Sequence, residues 1–266
     1  MTYRDLRYLR LRVDDLDAAT DLVAGIFALM PGDRDAARAM FRSDHRNYAL
    51  CCSLTEDPAV ALSVGQPEDL DRLEERLRQA GHAPARLSPA ECAARQVHAA
   101  LAVAAPNGVS VELVLRALTS GWPCHGARDA GITGFAAVSL ACRDMAANEA
   151  FWTRDLGLRV SDHVGDAVFL ALDEAHHRVA LYPSARDGIL GAAWAVETRD
   201  HIMRNWYHLQ KMQQPVVAGP GRQPFSGACF VTRFGFTSTR LRGPSARAAA
   251  LWAKMSSTAA ASAADA

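Results

Sequence analysis

The order of elements constrains this chain most, because the same succession of strand, helix and strands is written along it repeatedly. LRYLRLRV (6–13) alternates with the period of two that a half-buried strand requires, and DDLDAATDLVAGIFAL (14–29) follows with helical spacing behind a capping aspartate, Asp14 or Asp15. ARAMFRS (37–43), NYALCCSL (47–54) and AVALSVG (59–65) read as strands. PEDLDRLEERLRQAG (67–81) reads as a helix with Leu70, Leu73 and Leu77 on one face, acidic side chains at its start and Gly81 at its stop. VHAALAVA (97–104) and, past a Pro-Asn-Gly turn, VSVELVLR (109–116) close the first half.

The stretch 117–131 is rich in turn residues, and beyond it the pattern restarts. FAAVSLAC (135–142) predicts a strand and MAANEAFWTRDLG (145–157) a helix; AVFLALD (167–173), HHRVALYP (176–183) and GAAWAVE (191–197) predict strands. RDHIMRNWYHLQKM (199–212) predicts a helix, and CFVTRF (229–234) and FTSTRLRG (236–243) are the last two strands. Four modules of roughly 55–65 residues therefore make two similar halves, a spacing that indicates a duplicated α+β fold. The expected division is 1–118, a linker at 119–131, 132–253, and a disordered Ala/Ser tail at 254–266. No Gly-rich loop joins a strand to a helix, which excludes a dinucleotide-binding fold.

Composition narrows the function classes. Half of the 266 residues are apolar, yet no apolar run approaches the ~18 residues of a membrane span. The charged start MTYRDLRYLRLRVDD is no signal peptide, and six cysteines without a CxxC spacing fit reduced thiols; a cytoplasmic protein without a membrane partner is expected. Twenty-nine basic residues balance twenty-nine acidic ones, which gives no support for a nucleic-acid partner. The balance is local, however: from His201 onward eight Lys and Arg side chains face a single acid, Asp265.

LRYLRLRVDDLDAATDL, LEERLRQAG and AAPNGVSVEL in the first half, with FWTRDLGLRVSD, VFLALDEAHHRVAL and GPGRQ in the second, resemble the vicinal-oxygen-chelate superfamily. Within it they resemble the two-domain type I extradiol ring-cleaving dioxygenases, over about Leu6 to Gly243. The resemblance implies two domains, each of paired βαβββ modules forming a cupped mixed sheet, with the pocket in the second and a purely structural first. It also implies a 2-His-1-carboxylate iron or manganese site with open positions for catechol and oxygen. At the two histidine positions this chain reads Gly134-Phe135 and Ala192-Ala193-Trp194; at the carboxylate position it reads Arg240, or Ala250 with a gap. Between Asp200 and Asp265 there is no acidic residue of any kind, so the expectation is no metal and no cofactor.

Only His177 matches a family active-site residue, the second histidine of the HH pair, which handles protons beside the catechol. Strand alternation predicts that His176 points the other way. His177 is thus the expected catalytic residue, acting as general acid or base. Arg240, Arg222, Gln223, Phe135, Ala193, Trp194 and Phe169 are the expected substrate contacts, the arginines holding an anion where a cation once stood. The expected activity is metal-independent proton transfer on a small anionic aromatic or ring-derived compound, by a chain that forms homo-oligomers. The alternatives are a non-catalytic binding protein, or a working Fe(II) dioxygenase with unconventional ligands. His201 and His208, seven apart on one helix, read as a solvated face. Glu112 has a ligand-type position in the first half but no histidines beside it.

Overall fold

The computed structural model describes residues 3–233 and the backbone of 236–240; the expected tail and Ala250 lie outside them. The N-terminal sheet comprises β1 (Tyr3–Arg12), β2 (Met30–Arg34), β3 (Arg38–Arg42), β4 (Leu50–Ser53), β5 (Ala59–Val64), β6 (Ala85–Arg86), β7 (Ala99–Ala104) and β8 (Ser110–Leu115). Its strand order is β2-β3-β4-β1-β5-β8-β7-β6. The C-terminal sheet comprises β9 (Ile132–Cys142), β10 (Arg159–Val164), β11 (Ala167–Ala171), β12 (Val179–Pro183), β13 (Gly188–Val196), β14 (Val216–Arg222), β15 (Cys229–Arg233) and β16 (Phe236–Arg240). Its order, β10-β11-β12-β9-β13-β16-β15-β14, repeats the first. Both sheets mix parallel and antiparallel pairs: β1 is parallel to β4 and antiparallel to β5, as β9 is to β12 and β13.

Among the described residues, five helices connect the strands. α1 (Leu16–Thr20) is capped by the Asp15 carboxylate and runs on as a π-helical stretch, Asp21–Ile26; α4 (Met145–Ala150), capped by Asp144, does the same through Phe151–Asp155. α2 (Pro67–Gln79) starts on Pro67, with the Asp69 carboxylate accepting from the Gln66 N–H at 2.8 Å. Its Leu70, Leu73 and Leu77 are buried, each burial stabilising by roughly 1.5–3 kcal/mol. α3 (Pro89–Ala94) is capped by Ser88 and α5 (Arg199–Lys211) by Thr198.

One continuous core takes side chains from both halves. Leu6, Leu9, Val60 and Leu113 of the first sheet join Val138, Leu140, Leu170 and Leu181 of the second, with α2 and the Phe151–Trp152 turn packed among them. Polar ties reinforce it. Tyr3 donates to the Leu156 carbonyl (2.7 Å), and the His82 ring lies 2.7 Å from the Asp155 carboxylate. The Asn107 side chain, in the Pro-Asn-Gly turn, donates to the carbonyls of Ala141 (3.1 Å) and Gly188 (3.4 Å). One face of each sheet supplies this core, and the opposite, inner face carries separate, smaller clusters: Tyr8, Met40, Tyr48 and Ala61 in the first half, and Phe169 with Ala180 in the second.

Several elements differ from their predicted bounds. The strands β2, β6, β10 and β14 and the short α3 were not expected. β2 and β14 carry Pro-Gly and Gly-Pro pairs, which weaken the strand pattern and suit sheet edges, where both strands lie. β12 starts at Val179, so the HH pair precedes the strand.

Candidate active site

On the inner face of the C-terminal sheet, Phe169 of β11 packs with Ala167, Ala180 of β12, Tyr182 and Phe225. The His177 ring stands edge-on to Phe169 at 4.8 Å, and Phe225 lies 4.9 Å from Phe169 on another side. His176 does not point away. The alternation expected of it fails because residues 176–177 lie in a bend, and the two Nδ1 atoms meet at 3.1 Å. The His176 ring also touches Phe225 (5.7 Å), and its Nε2 faces Asp162 at 3.8 Å.

His177 is 2% exposed, and its Nε2 has no hydrogen-bond partner among the described residues. Burial, then the neighbouring His176 and Arg178, hold its pKa well below the ordinary 6.5. The imidazole is therefore neutral at pH 7. One Nδ1 of the pair must donate to the other, so the tautomer of His176 sets that of His177. With Nδ1–H donating, His177 presents a basic lone pair at Nε2; with Nδ1 accepting, it presents an Nε2–H acid.

The floor of this face is made of small residues: Ala136, Ala137, Ala193 and Ala195 cluster together. Register explains their position. Ala193 pairs with Ala137 and Trp194 with Phe135, which leaves Ala136 as an extra residue in β9, a β-bulge. The bulge sends Phe135 to the core side, where it packs on Trp194 (5.0 Å). Phe135 and Trp194 are thus core residues and not, as expected, neighbours of His177. The N-terminal sheet repeats the arrangement: Leu62 pairs with Leu6 and Ala61 with Tyr8, leaving Arg7 as the extra residue.

This internal match gives a second reading of two positions. In the first half Tyr8, Ala61 and Glu112 stand side by side on β1, β5 and β8. The same registers in the second half give Ala137, Ala193 and Thr237. Thr237 is the counterpart of Glu112; Arg240 instead pairs with Val196 and Cys229, and its side chain lies outside the described residues. Val196 itself packs with Ile202 and Leu209 of α5. Arg222 is exposed and donates to the Gly227 carbonyl (3.2 Å). Gln223 is buried and accepts from the Ser226 hydroxyl. His201 does not sit on a solvated face: it is buried, with Nδ1 2.8 Å from Thr198 Oγ1 and Nε2 3.3 Å from Asp129.

In the first half, the inner face is filled by charge. The Glu112 carboxylate accepts from Arg10 Nη1 (2.9 Å), Arg95 Nε (2.9 Å) and the Tyr8 hydroxyl. Burial, followed by Tyr48 and Glu112, pushes the Tyr8 pKa well above 10, so it remains a donor. Arginine and tyrosine occupy the space around Glu112 that a metal would need.

Residues 134–240 match the family model of the Glyoxalase/Bleomycin resistance protein/Dioxygenase superfamily. Among solved structures, a halotolerant catechol dioxygenase is similar at 16% identity, covering 95% of this chain and 94% of its own, with a TM-score of 0.85. A catechol 2,3-dioxygenase is similar at 21% identity, with 95% and 92% covered and a TM-score of 0.83. The fold is that of the glyoxalase/dioxygenase superfamily. A third similar structure is the Mn(II)-bound glyoxalase from Novosphingobium aromaticivorans, at 23% identity, 90% and 82% coverage and a TM-score of 0.77. No curated protein matches the sequence.

The metal that this superfamily implies does not fit the residues present. Ala137 and Ala193 have no donor atom, and neither does Phe135. Among the described residues no three His, Cys, Asp or Glu side chains gather around one point. The stretch after Asp200 has no carboxylate before Asp265.

Proposed function

We propose that the chain is a metal-independent relative of the ring-cleaving dioxygenases that moves a proton on a small anionic aromatic or ring-derived compound. One observation carries this reading: a buried, neutral His177 with an unpaired Nε2 beside Phe169, on the inner face whose central positions are alanines. The alanine floor sets small side chains on this face, Phe169, Phe225 and Tyr182 offer aromatic contacts, and Nε2 takes or gives the proton. His176 fixes the tautomer through the Nδ1 contact. The preference for an anion rests on the basic composition of the chain after His201.

A screen of carboxylated phenols, catechols and their ring-opened products, followed by absorbance and by proton exchange in D2O, tests the reading. Turnover or exchange that disappears in His177→Ala while binding persists is the expected result. Binding with neither, in wild type, leaves a sequestering protein, which the same aromatic wall would serve. Arg240→Ala separates the two placements of the lost carboxylate: unchanged binding follows if Thr237 marks the inward position, and weakened binding if Arg240 does.

A further inference from the structure

Residues 117–131 between the two sheets are tied down along their length. The Trp122 carbonyl accepts from Arg42 Nη2 (2.7 Å). Arg128 donates to Asn205 Oδ1 (2.7 Å) and to the Ile26 carbonyl (3.0 Å). Gly126 approaches so closely that a Cβ there would lie 2.0 Å from the Ala28 carbonyl oxygen, and one on Gly131 would lie 2.2 Å from the His201 ring. Between this segment and the N-terminal half remains a cavity of about 310 Å³, bordered by Arg42, Ser43, Cys124, His125, Arg128 and Asp129 among others. That is room for about ten waters or a small organic ion.

The charges around this cavity do not balance. Arg42 is 6% exposed, yet its partners are all neutral: the carbonyls of Arg46 (3.1 Å), Asp44 (3.3 Å) and Trp122, and Met30 Sδ (3.9 Å). Arg128 likewise bonds only neutral acceptors, and its buried Nε has none. Burial lowers its pKa, against a smaller pull from Asp129. The nearby carboxylates are taken. Asp44 pairs with Arg46 (2.9 Å), and Asp129 with Arg204 (2.5 Å) and His201 (3.3 Å). Ser43, 3% exposed, has a hydroxyl with no partner among the described residues. Two guanidinium groups drawn out of water, with only the exposed and shared Asp129 carboxylate acting on one of them, are costly, and a bound anion lowers that cost.

We propose that this cavity binds a small oxyanion, a carboxylate or phosphate ester, between Arg42 and Arg128 with Ser43 at its edge. The site lies on the linker and the N-terminal half, and it stands apart from the reading of His177. An anion here would fasten the linker to both halves, since Arg42 belongs to β3 and Arg128 reaches α5 through Asn205.

Isothermal titration of the full chain at constant ionic strength with inorganic phosphate, phenyl phosphate and benzoate tests the proposal. At least one should bind saturably, one per chain; binding of benzoate alone identifies a carboxylate site, and binding of the phosphates a phosphate site. Arg128→Gln should weaken that binding at least tenfold, and Arg12→Gln, an exposed control, should leave it unchanged. If Arg128→Gln does not fold, Cys124→Glu serves instead: a built-in carboxylate should abolish binding and raise Tm. No saturable binding of any probe, binding that survives both variants, or binding lost in His177→Ala alone overturns the proposal.

Discussion

The Nδ1 atoms of His176 and His177 lie 3.1 Å apart in a bend before β12, so each ring dictates which nitrogen of the other carries the proton. An adjacent pair that strand alternation would separate is instead one unit with a single outward-acting atom, His177 Nε2.

This unit makes stability depend on pH. His177 has a folded pKa well below 6.5, so below pH 6.5 the unfolded chain binds a proton that the folded chain refuses. Stability is full above about pH 7 and falls as pH drops through 6.5, by up to about 1.4 kcal/mol per pH unit for one such group. His208, whose pKa is also lowered, chiefly by burial, adds to the same window. His177→Phe should flatten part of the slope in urea titrations between pH 7 and 5. An unchanged slope would mean that His177 is not buried in its neutral form.

Protein prepared with Fe(II) or Mn(II) should retain less than stoichiometric metal after desalting, because neither Ala137 nor Ala193 can ligate it. Elemental analysis decides this. In air, catechol should give no yellow ring-opened product at an enzymatic rate.

Glu112→Gln should destabilise, by less than the roughly 3–5 kcal/mol of a fully broken buried pair, since Arg10 and Arg95 lose their buried partner but keep the half-buried Glu56 carboxylate at 3.3 and 3.6 Å. Tyr8→Phe removes one donor and should cost about 1.5–3 kcal/mol, as for a hydrogen bond to a charged partner. Chemical denaturation measures both.

Phe135→Ala and Phe169→Ala should behave differently. Phe135 belongs to the main core, and its truncation should cost about 3–5 kcal/mol with little specific effect on ligand affinity. Phe169→Ala removes the face against which His177 stands and should weaken aromatic ligands even at temperatures where the variant is folded.

The duplication was legible because helical period survives in α2 and α5 and because the apolar runs of β5 and β13 stand between turn residues. What could not be read was register. One extra residue, Ala136, turns Phe135 from the inner face to the core, and nothing in FAAVSLAC marks the bulge. The same shift puts Ala137 opposite Ala193, whose other neighbour, on β16, is Thr237. His176 was misplaced for a related reason: HHRVALYP alternates as a strand would, while the chain joins the sheet only at Val179. That Arg42 and Arg128 bond only neutral acceptors gave no signal at all, because the partners of an arginine are visible only once its neighbours are known.

Asn107 gives the first half a duty beyond filling space. Its amide holds the carbonyls of Ala141 and Gly188, which sit opposite each other where β9 meets β13. These two strands carry the alanine floor farther along their length. The N-terminal half therefore acts as a jig: it sets the gauge of the two strands that carry the alanine floor. Residues 132–240 expressed alone would lose that gauge together with the half of the core that the first sheet supplies.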